Sequence, residues 1–269
     1  RHHQAGTSVD KLLVALDVED GPAALALADN LRDVVGGFKV GSRLFTTEGP
    51  DIVRTLSRGG SRVFLDLKFH DIPNTVATAV AAATSLGVWM VNVHASGGTR
   101  MMQAARDAAR ETAAREGKTP PLVIAVTVLT SMNAAMLDET GVHRPVLDQV
   151  LRLAELTQAT GLDGVVASPQ ETALIRQRCG PDFAIVTPGI RGGAAATGER
   201  GAAATGERGA AATGEGGAAA PGKKDDQERT LGPAEAIAAG ASYLVVGRPI
   251  IAAANARKAA EEIARALKS

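Results

Sequence analysis

Residues 61–71 read SRVFLDLKFHD, an apolar run that ends in an acid, a base and a second acid at Asp66, Lys68 and Asp71. Val63, Phe64 and Leu65 in a row suit a strand covered on both faces, the habit of parallel sheets packed under helices. In a regular strand side chains alternate, so Asp66 and Lys68 project to the same side. A solvated charge cluster is the ordinary reading of mixed charges, and a stabilising ion pair at the strand end is the other structural one. The surroundings decide between these and a chemical role.

Seven further β-branched runs recur along the chain: KLLVALD (11–17), GGFKVG (36–41), VWMVNVH (88–94), LVIAVTVL (122–129), DGVVAS (163–168), FAIVT (183–187) and SYLVVG (242–247). Helix-like segments separate them. Pro22 opens one of these before Gly36, and Pro169 opens PQETALIRQRC before Gly180, a proline-first, glycine-last punctuation. Eight strand and helix pairs in 269 residues predict an α/β fold, a single (β/α)8 TIM barrel, with an open doubly wound sheet as the alternative. A barrel gathers functional groups at the carboxyl ends of its strands. Asp17, Lys39, Asp66 with Lys68, His94, Thr130 with Ser131, and Arg248 all fall at such positions in this reading.

Composition narrows the function classes. Formal net charge is zero, which leaves no electrostatic footprint for nucleic acid or an anionic membrane surface. No apolar run approaches the roughly 20 residues of a membrane span. The single cysteine, Cys179, excludes an intramolecular disulfide and a cysteine zinc site and favours a reducing, cytoplasmic compartment; at a helix end before Gly180 it reads as filler. Residues 1–10 read as a tag remnant or disordered N-terminus, with the barrel domain spanning 11–269. His94, beside small residues and without a second ligand at metal spacing, reads as a structural group.

From Gly193 to Lys224 the chain repeats an eight-residue unit four times, beginning GAAATGER. Alanine methyls broken by glycines bury too little to offset chain ordering. The prediction is a flexible Ala/Gly-rich insertion over 193–224, in the loop after strand 7.

FLDLKFHDIPNTV, together with VNVHASGG, VTVLTS, VTPGIR, DDQERT and VVGRPI, resembles the orotidine 5'-phosphate decarboxylases of pyrimidine biosynthesis. The similarity runs from Lys11 to the last helix, outside the repeats. The D-x-K-x-x-D pattern alone is shared with the 3-keto-L-gulonate 6-phosphate decarboxylases, which use magnesium; the flanking motifs favour the orotidine enzyme. The resemblance implies a cofactor-free lyase that converts orotidine 5'-phosphate (OMP) to uridine 5'-phosphate (UMP) and CO2, working as a homodimer with no bound metal.

It also implies roles for individual residues. Lys68 would be the proton donor at C6, with Asp66 beside the departing carboxylate and Asp71 and Thr75 reaching into the partner's site. Asp17 would contact the ribose and Lys39 would join the charged network. Thr130 and Ser131 would face the pyrimidine, unless they merely cap the next helix. Arg191 and Gln227 would hold the phosphate from the loop after strand 7. Gly247 and Arg248 follow strand 8, where barrels commonly bind phosphate through backbone N–H groups, and Arg248 adds a bidentate cation. A phosphate-ligand binding or scaffold protein built around the repeats is the non-enzymatic alternative; it predicts a missing acid or base, and Asp66, Lys68 and Asp71 are all present.

Overall fold

The structure, a computed structural model, describes residues 7–189 and 231–268. The repeats, Arg191 and Gln227 lie outside the described residues. Eight parallel strands close into a barrel in the order β1 to β8: β1 Leu12–Ala15, β2 Gly37–Gly41, β3 Val63–Phe69, β4 Met90–His94, β5 Leu122–Val126, β6 Gly164–Val166, β7 Ala184–Thr187 and β8 Tyr243–Val246. Every apolar run singled out in the sequence supplies one strand, and the open-sheet alternative is excluded by the pairing of β1 with β8. Ser8–Lys11, at the edge of the expected N-terminal tail, forms a 3-10 turn, and the Asp10 carbonyl accepts from Arg62.

The helices start and stop for the reasons the sequence gives. Helix Gly21–Leu31 is capped by Asp20, whose carboxylate accepts from the Ala23 N–H, which satisfies one of the orphan donors of the first turn. Helix Pro169–Cys179 begins at its proline, carries a capping box between Ser168 and Glu171, and ends against Gly180 at φ 81°, where a residue with a Cβ is strained.

Two apolar layers hold the barrel. The outward faces of the strands, such as Val14, Val40 and Val91, pack under the helices in the main core. The inward faces, Leu13, Phe64, Met90, Ile124 and Val186 among them, fill the lower part of the barrel. Each fully buried Val, Leu or Ile contributes about 1.5–3 kcal/mol by leaving water. At the amino-terminal ends of the strands, Trp89 and Tyr243 meet edge to face with centroids 5.0 Å apart, and the Arg62 guanidinium sits 4.6 Å above the Trp89 ring. At the opposite end Lys39, Asp66 and Lys68 line the interior.

Candidate active site

Strand register sets the site. Ala15 pairs with Lys39, Lys39 with Phe64, and Gly41 with Asp66. Ala15 and Phe64 point inward, so Lys39 does too, and Asp66, two residues beyond Phe64, joins it one layer higher. Lys39 sits in the middle of β2, which runs on to Gly41, rather than at its end as the sequence suggested. The charge is reached from above because the small Ala15 and Gly41 leave space beside it.

These side chains form a chain of charges along one wall. Lys68 Nζ donates to Asp66 Oδ1 at 2.7 Å, Lys39 Nζ lies 3.3 Å from Asp66 Oδ2, and Lys39 also stands 3.8 Å from Asp17 Oδ1. Asp66 is buried, whereas Asp17 is exposed. Burial pushes the Asp66 carboxyl up, but the two ammonium groups and the hydrogen bonds from Lys68 and Asn92 outweigh it and hold the group below the usual carboxylate value. Asp66 therefore stays ionised and keeps two cations fixed.

Asn92 was not singled out from the sequence. Its Nδ2 donates to Asp66 Oδ1 at 2.7 Å, its Oδ1 accepts from the Lys68 backbone N–H at 2.9 Å, and it is wholly buried. An asparagine in the middle of the apolar run MVNVH was the signal: a buried amide needs partners.

The strand is not regular where Lys68 stands. Leu65 pairs with Val91 but Phe69 with Val93, and Lys68 has φ 51°, the only positive φ at a non-glycine among the described residues. Simple alternation therefore does not place Lys68; a bulge does.

Above the inner apolar layer opens a cavity of about 570 Å³. Asp17, Lys39, Asp66 and Lys68 line one wall, Val128, Leu129 and Thr130 another, and Gly247, Arg248 and Pro249 a third. The space matches a nucleotide-sized ligand, with an apolar floor and a few convergent polar groups. Gly247 precedes the short helix Arg248–Ile251, and a Cβ on it would lie 3.8 Å from Asp17 Oδ2. The structure thus brings Asp17, Lys39, Asp66, Lys68, Thr130, Gly247 and Arg248 to one cavity.

Three expected residues stand elsewhere. Ser131 is exposed and not part of the cavity wall. Neither it nor Thr130 caps the next helix, because Asn133 does, accepting from the Met136 N–H. Asp71 and Thr75 are exposed and do not line this chain's own cavity; Asp71 Oδ1 accepts from the Ile72 N–H at 2.7 Å. His94 lies with its ring centroid 5.5 Å from that of His70. Burial, then the neighbouring His70 and Lys68 charges, lower its pKa, with Asp66 opposing. Cys179 is buried at its helix end, and burial pushes its thiol up. Among the described residues no cluster of three or more His, Cys, Asp or Glu side chains is placed to hold a metal ion.

The comparisons with known proteins agree with one another. The curated orotidine 5'-phosphate decarboxylase of Syntrophotalea carbinolica is 50% identical over 262 residues, covering 96% of each chain. That of Moorella thermoacetica is 49% identical over 256 residues, covering 95% of this chain and 91% of its own. Among solved structures, orotidine 5'-phosphate decarboxylase from Lactobacillus acidophilus matches with a TM-score of 0.76 at 32% identity, over 96% of this chain and 99% of that one. The model of the Orotidine 5'-phosphate decarboxylase / HUMPS family matches residues 10–219 and 197–263, two segments that overlap inside the eight-residue repeats. On this evidence the chain belongs to the orotidine 5'-phosphate decarboxylase / HUMPS family.

Proposed function

We propose that this chain decarboxylates orotidine 5'-phosphate to UMP and CO2, with Lys68 as the proton donor to C6. The observation that carries this reading is the ammonium of Lys68, held by Asp66 at 2.7 Å on the rim of the nucleotide-sized cavity. Curated relatives of that name at half identity over nearly the whole chain support it.

In the proposed reaction the bond from C6 to the carboxylate breaks, its electron pair stays on C6, and CO2 leaves. The developing charge has no ordinary electron sink, so a fixed cation beside C6 is the main source of stabilisation. Lys68 then transfers one Nζ proton to C6 and is recharged from water. Asp66 holds the ammonium in place before the substrate arrives, and Lys39 keeps Asp66 ionised.

The remaining contacts follow from the cavity walls and from the family resemblance. We assign Asp17 to the ribose, Thr130 to the base, and Gly247 and Arg248 to the phosphate, joined by Arg191 and Gln227. We place Asp71 and Thr75 in the partner's site of a homodimer, a role compatible with their exposure beside the equally exposed Ile72. No cofactor takes part in this scheme, and the single thiol suits a cytoplasmic setting. The repeats are assigned as a tolerated insertion in the loop that holds the phosphate. A longer loop costs only about 0.6 kcal/mol per doubling to close.

Loss of orotidine 5'-phosphate absorbance, followed for the wild type and Lys68→Ala with and without chelator, tests the scheme. Chelator-resistant turnover that falls by about 100-fold or more in the variant is expected. Turnover abolished by chelator would favour a magnesium-dependent sugar-phosphate chemistry, and no turnover in folded dimer would overturn the reading.

A further inference from the structure

The bulge in β3 leaves a problem that one side chain solves. Between the pairs Leu65 with Val91 and Phe69 with Val93, three residues of β3 stand opposite Asn92 alone. A regular parallel ladder would offer a β4 carbonyl to the Lys68 N–H. Here the Asn92 side-chain oxygen takes that place at 2.9 Å, while its Nδ2 reaches Asp66 Oδ1 at 2.7 Å.

The orientation of this amide is fixed by its partners. A backbone N–H requires an acceptor and an ionised carboxylate requires a donor, so the flipped amide would set N–H against N–H and oxygen against oxygen. Because Lys68 Nζ also donates to Asp66 Oδ1, the contacts close a ring: Lys68 N to Asn92, Asn92 to Asp66, and Asp66 back to Lys68 Nζ. Lys68 is thereby gripped at its backbone and at its ammonium. Its left-handed φ of 51° is one that a lysine rarely adopts and that persists only where the surroundings enforce it. Asn92 is fully buried and leaves neither half of its amide unused.

We propose that Asn92 is a positioning residue for the decarboxylation: its amide holds the β3 bulge in the turn that aims the Lys68 ammonium into the cavity, and orients Asp66 at the same time. This rests on the decarboxylase reading above. Asn92 donates no proton and touches no reacting atom in this role. Its effect passes through Lys68, so it acts on the rate of the chemical step rather than on phosphate or ribose binding.

The test compares kcat and KM for OMP in the wild type, Lys68→Ala, Asn92→Ala and Asn92→Thr, with circular dichroism reporting the folded fraction. A displacement of about 1 Å in a reacting group costs on the order of 100-fold. Asn92→Ala is therefore expected to lower kcat by about 30-fold or more per folded molecule, with KM within about threefold. Threonine carries one acceptor and one donor on a single oxygen, and should recover part of that loss. A kcat of Asn92→Ala within threefold of the wild type, or a loss confined to KM, would overturn the inference. If Asn92→Ala does not fold, Asn92→Thr decides: a lowered kcat at constant KM supports the role, and an unchanged kcat overturns it. Absence of wild-type turnover would overturn the decarboxylase reading and this inference with it. Wild-type turnover lost in Lys68→Ala but kept in Asn92→Ala would overturn the positioning role alone.

Discussion

Lys39 reaches Asp66 across the β2–β3 seam, Nζ to Oδ2 at 3.3 Å, on the carboxylate oxygen that Lys68 does not use. One buried carboxylate thus holds two ammonium groups apart and in place. Removing its charge leaves both cations facing each other with no shared partner. Asp66→Asn is expected to lower turnover by about 100-fold or more and stability by about 2 kcal/mol. That figure lies below the cost usual for a broken buried pair because the Lys68 side chain is 38% exposed. The Asp66 carboxyl is held below its usual 3.8, so its contribution is complete above that pH and disappears as pH falls through the lower folded-state value. Urea unfolding at several pH values should show the largest gap between wild type and variant above about pH 4, closing in stronger acid.

His94 adds to the loss of stability in acid, at higher pH. Burial, His70 and Lys68 all disfavour its charged form in the folded chain. The unfolded state then binds the extra proton more readily, so stability falls as pH drops below about 6.5, the unfolded value, and levels off below the depressed folded one. His94→Gln should flatten that slope. A stability-versus-pH curve for the variant that matches the wild type between pH 7 and 5 would show that His94 does not carry it.

The strands were legible because parallel barrels demand apolar runs on both faces, and runs such as LVIAV and AIVT satisfy nothing else. Lys39, Asp66, Lys68 and Arg248 were legible because charge beside such a run is costly without a purpose. The bulge was not. Two-residue alternation and a bulge place Asp66 and Lys68 on the same side, so the sequence gives no sign of the left-handed turn at Lys68, and hence none of the need for Asn92. Lys39 was set at the end of β2, although the run GGFKVG goes on for two residues past it and Val40 and Gly41 pair with β3. Ser131 was placed with Thr130 at the pyrimidine by the family resemblance, but the cavity wall includes Thr130 and not Ser131.

Gly164 is a position where the barrel tolerates no Cβ. An added methyl would clash with the Ala184 carbonyl oxygen and lie 2.7 Å from the Ala184 Cβ. Gly164 pairs with Ala184 in the β6–β7 ladder, so the obstacle is backbone and a rotamer change does not relieve it. Gly164→Ala is expected to destabilise by about 3 kcal/mol or more, at the upper end of overpacking, and to lower Tm by several degrees. A thermal melt within a degree of the wild type would contradict the close approach of these two strands.

Gly41 separates stability from function. Its backbone, at φ −96° and ψ −176°, is open to any residue. Gly41→Ala therefore removes freedom from the unfolded chain without backbone strain, an effect that adds about 0.4–1 kcal/mol where the site accepts it. The new Cβ, however, would lie 3.3 Å from Lys39 Nζ and 3.8 Å from Asp17 Oδ1, a contact relieved by moving the end of a flexible lysine. That movement draws Lys39 from Asp66 and loosens the anchor of Lys68. The variant is expected to melt at or above the wild-type temperature while kcat falls roughly 3- to 10-fold, since small displacements in a preorganised site are costly. Loss of both properties together would mean that the strand, not the lysine, gives way. Retention of both would mean that the exact seat of Lys39 is unimportant to the charged network.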